Sequence, residues 1–425
     1  MKQLMSLPVV LVCYLLLPLP HAPLRGAAAP DAGNAPVDFQ QARGFFEKRQ
    51  RGEQLTVEEQ AYVARAIAAQ KAAKEQQSGK AEVAKTTSTT PVSDPKIVAA
   101  LVPLDELTGT YKGESGGLYP GGRNTPPPVH GAAYLDESNK IQTLDAAGKP
   151  AKDGKIVLLS IGMSNTTMEY SHFKKVADAD PEKSTDVVIV DGAKGARTGI
   201  AWSLDGLEFL PAGEEQRLLG EMAKVGMNIR KGFGDTWTGA EAKLQAGNVT
   251  ARQVQVLWIK QAEAKPGTLG EFPAHAKILQ ASLVNILNIA RQHYPNLRVA
   301  YLSSRIFGGY ATTPLNPEPY AYEEAFSQRW LIEDQINGEP RLNYNPARGT
   351  VKSPIVVWGP YLWANGTTPR KSDGFVWNFE DFVASDRTHP DTSARQKVAD
   401  LLLHFLKTDP GARRWFVKTE AAAGR

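Results

Sequence analysis

Cysteine is nearly absent: Cys13 is the only one in 425 residues. Everything after it lacks a thiol, which excludes a disulfide framework, a thiolate metal site and a cysteine nucleophile there. Charge of one sign is also scarce. The 49 Lys and Arg against 45 Asp and Glu leave +4, with no concentrated basic block, so no nucleic-acid partner is expected. The P-loop pattern is missing. No His, Asp and Glu cluster has metal-ligand spacing, so neither a metal nor a cofactor is expected. Past Leu19 no apolar stretch is long enough to span a bilayer. What remains is 42% hydrophobic and 22% charged, the balance of a globular protein.

The N-terminus has the layout of a secretory signal peptide over residues 1–29. Lys2 is followed by an apolar run from Leu4 to Leu19 and by Ala27, Ala28 and Ala29 as a small-residue cleavage site. An N-terminal membrane anchor is the alternative, because the run is close to spanning length. The signal reading implies export to a periplasmic or extracellular space, a mature chain without cysteine, and no stable membrane insertion after cleavage.

Residues 30–76 read as a helical segment with a thin apolar stripe, and Thr56 with Glu59 forms a capping-box pattern. Residues 77–94 are polar and lack a stripe, as a flexible linker would. The compact domain is expected over 95–425, with an irregular Gly- and Pro-rich lead-in from 106 to 150. Five short β-rich runs follow: Ile156–Ile161, Val187–Val190, Val254–Ile259, Leu297–Leu302 and Ile355–Trp358. Continuous apolar runs suit a parallel sheet covered on both faces. Leu279, Leu283, Ile286, Leu287 and Ala290 mark a helix between the third and fourth. A last helix follows His389, with Pro390 in its first turn. The alternation predicts a three-layer α/β/α sandwich with a five-stranded parallel sheet. Ligands of such sheets gather at the carboxyl ends of the strands.

Four strand-end segments carry chemistry. Gly162-Met-Ser164-Asn165 closes the first run. A serine at a strand-to-helix turn can present its hydroxyl to an acyl carbon, or it can simply cap the helix. Asp386-Arg-Thr-His389-Pro390 precedes the last helix. Its spacing lets a carboxylate fix one imidazole nitrogen and leave the other as a base, or it makes an Asx turn with His389 exposed. Of the seven histidines, His275, His293 and His404 fall on helices. His130 and His172 have no carboxylate at comparable spacing. After the second run, Gly195 lets backbone approach a substrate and offer its N–H. After the third, Gln261 offers a side-chain amide, either to an oxyanion or to a structural hydrogen bond.

Together these segments resemble the SGNH hydrolase superfamily, the GDSL-type esterases, over roughly residues 155–407. Gly162-Met-Ser-Asn165 and Trp258-Ile-Lys-Gln261-Ala-Glu263 are similar to the Gly-Gln-Ser-Asn and Trp-x-Gln-Gly-Glu forms of the sialate and carbohydrate acetylesterase branch. Met163 and Ala262 depart from them, and the usual Asn of the third block is lacking. The resemblance implies a flavodoxin-like fold and a serine esterase acting on a small ester, an O-acetyl group on carbohydrate foremost. It makes Ser164 the nucleophile, His389 the base and Asp386 its orienting carboxylate. The Ser164 and Gly195 backbones and the Gln261 side chain become the oxyanion hole. The alternatives are a non-catalytic SGNH-fold protein that binds carbohydrate or another surface, and a lipase-like enzyme for longer acyl chains. Asn365 and Asp373 are candidates to bind sugar hydroxyls beside Trp363 and Trp377, whose more economical reading is core packing. Arg305 faces either an anionic substrate or an internal carboxylate.

Overall fold

The computed structural model describes residues 90–206 and 234–418, with Gln216 and scattered positions between 38 and 66. The expected signal peptide and most of the expected linker lie outside the described residues. The chain divides into two compact units, 1–86 and 87–425. In the first, the capping box closes in both directions. The Thr56 N–H donates to Glu59 Oε2 at 2.8 Å and the Glu59 N–H to Thr56 Oγ1 at 3.2 Å.

The second unit is built on an all-parallel sheet of five strands: β1 Ile156–Gly162, β2 Val187–Val190, β3 Val254–Lys260, β4 Val299–Leu302 and β5 Ile355–Trp358. Every residue of β1 and of β3 is buried, as a sheet covered on both faces demands. The spatial order is β2-β1-β3-β4-β5. The winding therefore reverses at β1, and the crevice beyond the β1 and β3 carboxyl ends is the topological switch point where such sheets bind ligands.

Helices cover both faces, so the architecture is a three-layer α/β/α sandwich. They are α1 Pro128–Asn139, α2 Ser164–Ala179, α3 Gly199–Leu204, α4 Thr236–Ala246, α5 Ala274–His293, α6 Tyr320–Ile336 and α7 Thr392–Thr408. Trp258 and Tyr301 are register partners and point to the same face. There Tyr170 of α2 stacks on Trp258, while Tyr134 of α1 and Phe405 of α7 meet Tyr301 edge-on. α7 runs along α2. The α5 positions marked by the apolar period are all fully buried, and α5 packs on α3 and α6. The outer edge of β5 is closed by side chains: Gln335 accepts from the Val356 N–H, and His130 Nε2 donates to its carbonyl, both at 2.8 Å. That bond explains His130 structurally.

Two sequence expectations are corrected. The irregular lead-in contains α1, because the proline run ends at the helix's first residues, where a missing N–H costs nothing. Pro390 lies outside α7. The cap is Asp391, whose side chain accepts from the Thr392 N–H at 2.7 Å. Among the described residues no helix is long and apolar enough to cross a membrane.

Candidate active site

Ser164 is the first residue of α2, and the N-cap position belongs to Met163. The serine hydroxyl is therefore not used as a cap. It lies 2.8 Å from His389 Nε2. His389 Nδ1 lies 2.6 Å from Asp386 Oδ2. A carboxylate only accepts, so Nδ1 carries the proton and Nε2 presents its lone pair to the Ser164 O–H. The chain Asp386, His389, Ser164 can thus move a proton from the hydroxyl to the imidazole.

Asp386 has a second task. Its Oδ1 accepts the Thr388 and His389 N–H groups at 2.9 and 3.0 Å. The Asx turn and the carboxylate–imidazole pair are two uses of one side chain. Burial pushes the Asp386 carboxyl up, but the hydrogen bonds from the His389 ring and both N–H groups outweigh it and hold the group below the usual carboxylate range. Between them Arg387 takes the left-handed conformation, with φ of 50°. Its guanidinium fixes that turn by donating to the Phe379 and Phe382 carbonyls.

The helix carrying Ser164 and the turn carrying His389 are joined directly. Asn165 is buried, and its Nδ2 donates to the Thr388 carbonyl at 3.0 Å. Asp191, just past β2, does similar work on the other side. It accepts from Ser160 of β1 at 2.8 Å, from the Ala193 N–H at 3.1 Å, and from Thr167 and Ser171 of α2. Neither tie was anticipated from sequence. An Asp at a strand end was the only signal for the second, and it does not name its partners.

Gly195 lies against Ser164: a Cβ built on it would stand 4.0 Å from Ser164 Cβ. Its N–H makes no hydrogen bond among the described residues, while the preceding Lys194 N–H is held by the Gly162 carbonyl at 3.1 Å. Gln261 follows directly on β3, on the other flank of β1. Its side chain is fully buried, and neither the amide oxygen nor the amide nitrogen has a partner. Leaving such an amide unpaired costs about 1–3 kcal/mol, so the fold retains a donor it does not use itself. Ser164, Gly195 and Gln261 thus sit beyond three adjacent strands, with Ser164 on the middle one.

The other expected binding residues are occupied within the fold. Asn365 Nδ2 donates to the Val98 and Leu101 carbonyls, both at 2.9 Å. Asp373 pairs with Arg370 at 2.9 and 2.5 Å. Trp363 and Trp377 are fully buried core residues. Arg305 is 2% exposed and donates from Nε to Asn316 Oδ1 at 3.0 Å. The carboxylates of Glu324, Glu169, Glu318 and Asp386 act on it electrostatically, which favours its internal reading. Its neighbours are perturbed in turn. Burial pushes Glu263 up to about 8 and Glu324 up to about 7. Burial also pushes Lys260 down to about 8, against the attraction of Glu169 at 2.5 Å.

No family model matches the chain, and no curated protein matches it.

Proposed function

We propose that this chain is an exported serine esterase of the SGNH type that hydrolyses a small ester, an O-acetyl group on carbohydrate, with no metal or cofactor. The observation that carries the reading is the hydrogen-bonded series from Ser164 Oγ through His389 to Asp386, at 2.8 and 2.6 Å, at the switch point of a parallel sheet. His389 Nε2 takes the hydroxyl proton as Oγ bonds to the acyl carbon. Negative charge develops on the carbonyl oxygen, where the Ser164 and Gly195 N–H groups and the Gln261 amide would donate. The C–O bond to the sugar then breaks, and His389 returns the proton to the departing alkoxide. Water attacks the acyl-enzyme, gives its proton to Nε2, and acid and free serine result.

The test is hydrolysis of p-nitrophenyl acetate by mature protein. Ser164→Ala and His389→Ala should each remove nearly all turnover, and the double variant should lose little more, because the residues act as a unit. An active protein indifferent to Ser164→Ala overturns the mechanism. A wild-type protein inert on every short ester and acetylated sugar leaves the binding-protein alternative.

A further inference from the structure

A groove of about 300 Å³ opens on α2 beside α7, lined by Thr167, Met168, Ser171, His172, Lys175 and Arg395. Its place is set by helix geometry. Ser164, Met168, Ser171 and Lys175 are spaced by 4, 3 and 4 residues, so they share one face of α2. At a rise of about 1.5 Å per residue, Lys175 stands roughly 16 Å along the helix from the nucleophile. The opposite wall comes from the first turn of α7. There Arg395 donates from Nε to the Pro390 carbonyl at 3.0 Å, one residue from His389. The groove therefore leads away from the triad along the α2–α7 seam.

Its chemistry is cationic. No carboxylate lines it, and neither Lys175 nor Arg395 has an ion-pair partner among the described residues. Other surface lysines do: Lys174 and Lys183 share Asp178, and Lys407 takes Asp180 and Glu182. Asp191, behind the wall, already accepts from both Thr167 and Ser171 as well as Ser160 and the Ala193 N–H. Having spent their protons on Asp191, the two hydroxyls offer lone pairs outward, suited to accept from sugar hydroxyls. His172 Nε2 is engaged with Gln396 at 2.8 Å. The guanidinium presents a flat fork for an oxyanion, and the ammonium a point charge.

We infer that this groove binds the alcohol part of the ester, and that this part is an anionic oligosaccharide whose carboxylate or sulfate groups meet Lys175 and Arg395. The inference rests on the esterase reading for its direction of approach, since Thr167 and Met168 at the near end of the groove lie one helical turn from Ser164. It adds a substrate class that the triad alone does not specify.

The test separates the two readings. Binding is measured by calorimetry on the Ser164→Ala protein at low salt, with an oligouronate, a sulfated oligosaccharide and an uncharged oligosaccharide of equal length. The charged probes should bind at least tenfold tighter than the uncharged one, and the preference should shrink as salt is raised. The uronate and sulfate arms identify the source of the anion. Lys175→Gln and Arg395→Gln should each weaken charged binding by about 10-fold. With active protein, kcat/KM is compared for an acetylated uronide and its neutral methyl ester. The charged-to-neutral ratio is the readout, because Arg395 also holds the Pro390 carbonyl and its loss disturbs the triad turn for every substrate. The ratio should fall in Lys175→Gln, which breaks no hydrogen bond of the fold. Anion-dependent binding without hydrolysis sinks the esterase and leaves the groove standing. Hydrolysis with equal affinity for all three probes, unaltered in Lys175→Gln, overturns the groove and leaves the esterase.

Discussion

Asp386→Asn isolates what the carboxylate does for the imidazole. The amide is almost isosteric, and its oxygen can keep the Thr388 and His389 N–H groups now held at 2.9 and 3.0 Å. Its NH2 then occupies the position of Oδ2, 2.6 Å from His389 Nδ1. Two donors cannot face each other, so the ring takes the other tautomer and puts its proton on Nε2, toward Ser164. The base is then blocked without being moved. A wrong tautomer of this kind costs about 10⁴ in kcat. Asp386→Ala should be similarly inactive but for a further reason, since two N–H groups lose their acceptor at about 1–2 kcal/mol each, or roughly 2–4 kcal/mol in total. The assay is kcat on p-nitrophenyl acetate, paired with urea denaturation of the same proteins. Asp386→Asn should be dead and nearly as stable as wild type; Asp386→Ala should be dead and weaker. An Asp386→Asn enzyme retaining a tenth of wild-type turnover would show that His389 does not depend on this carboxylate, and the derivation would fail.

Gln261→Ala should lower kcat by about 10²–10³, less than loss of the serine or histidine, because two backbone donors remain. It should not destabilise, since it removes a buried amide that has no partner; a full-speed or markedly weaker variant contradicts this. The buried carboxyl of Glu263, pushed up to about 8 from 4.5, favours its protonated form in the fold. Its contribution to stability is thus complete below about pH 4.5 and lost as pH rises through about 8. Glu263→Gln keeps an oxygen for the Ile200 N–H, now bonded at 2.9 Å, and should flatten the decline in urea midpoint between pH 6 and 8. Parallel curves for wild type and variant would rule that out.

The sheet was readable because its strands are continuous apolar runs; the boundaries erred by a two-residue overrun at Leu297 and by one residue at the ends of the first and third strands. Ser164, Asp386 and His389 were readable because each lies in a short turn whose chemistry is local. Asn365 and Asp373 were misread for the opposite reason. A polar side chain in a loop looks the same whether its partner is a ligand or the protein. The partners of Asn365 are 267 and 264 residues away. Arg305 was undecided on the same ground, and its burial and its bond to Asn316 are not legible from spacing. Asn165 and Asp191 escaped notice because their work is to join segments distant in the chain, and no spacing rule encodes that.

The 225-residue separation of Ser164 and His389 has a consequence for the making of the protein. Ser164 is synthesised well before His389. Four of the five strands of the sheet must be laid down in between. A nascent or truncated chain holds a hydroxyl with nothing to deprotonate it. The Asn165 tie to Thr388 is likewise missing until the turn before α7 is in place. Contacts this far apart in sequence form late and at high entropic cost. Esterase activity, where present, is therefore a property of finished molecules only. A synthesis time course should show it emerging with full-length protein rather than in proportion to polypeptide made.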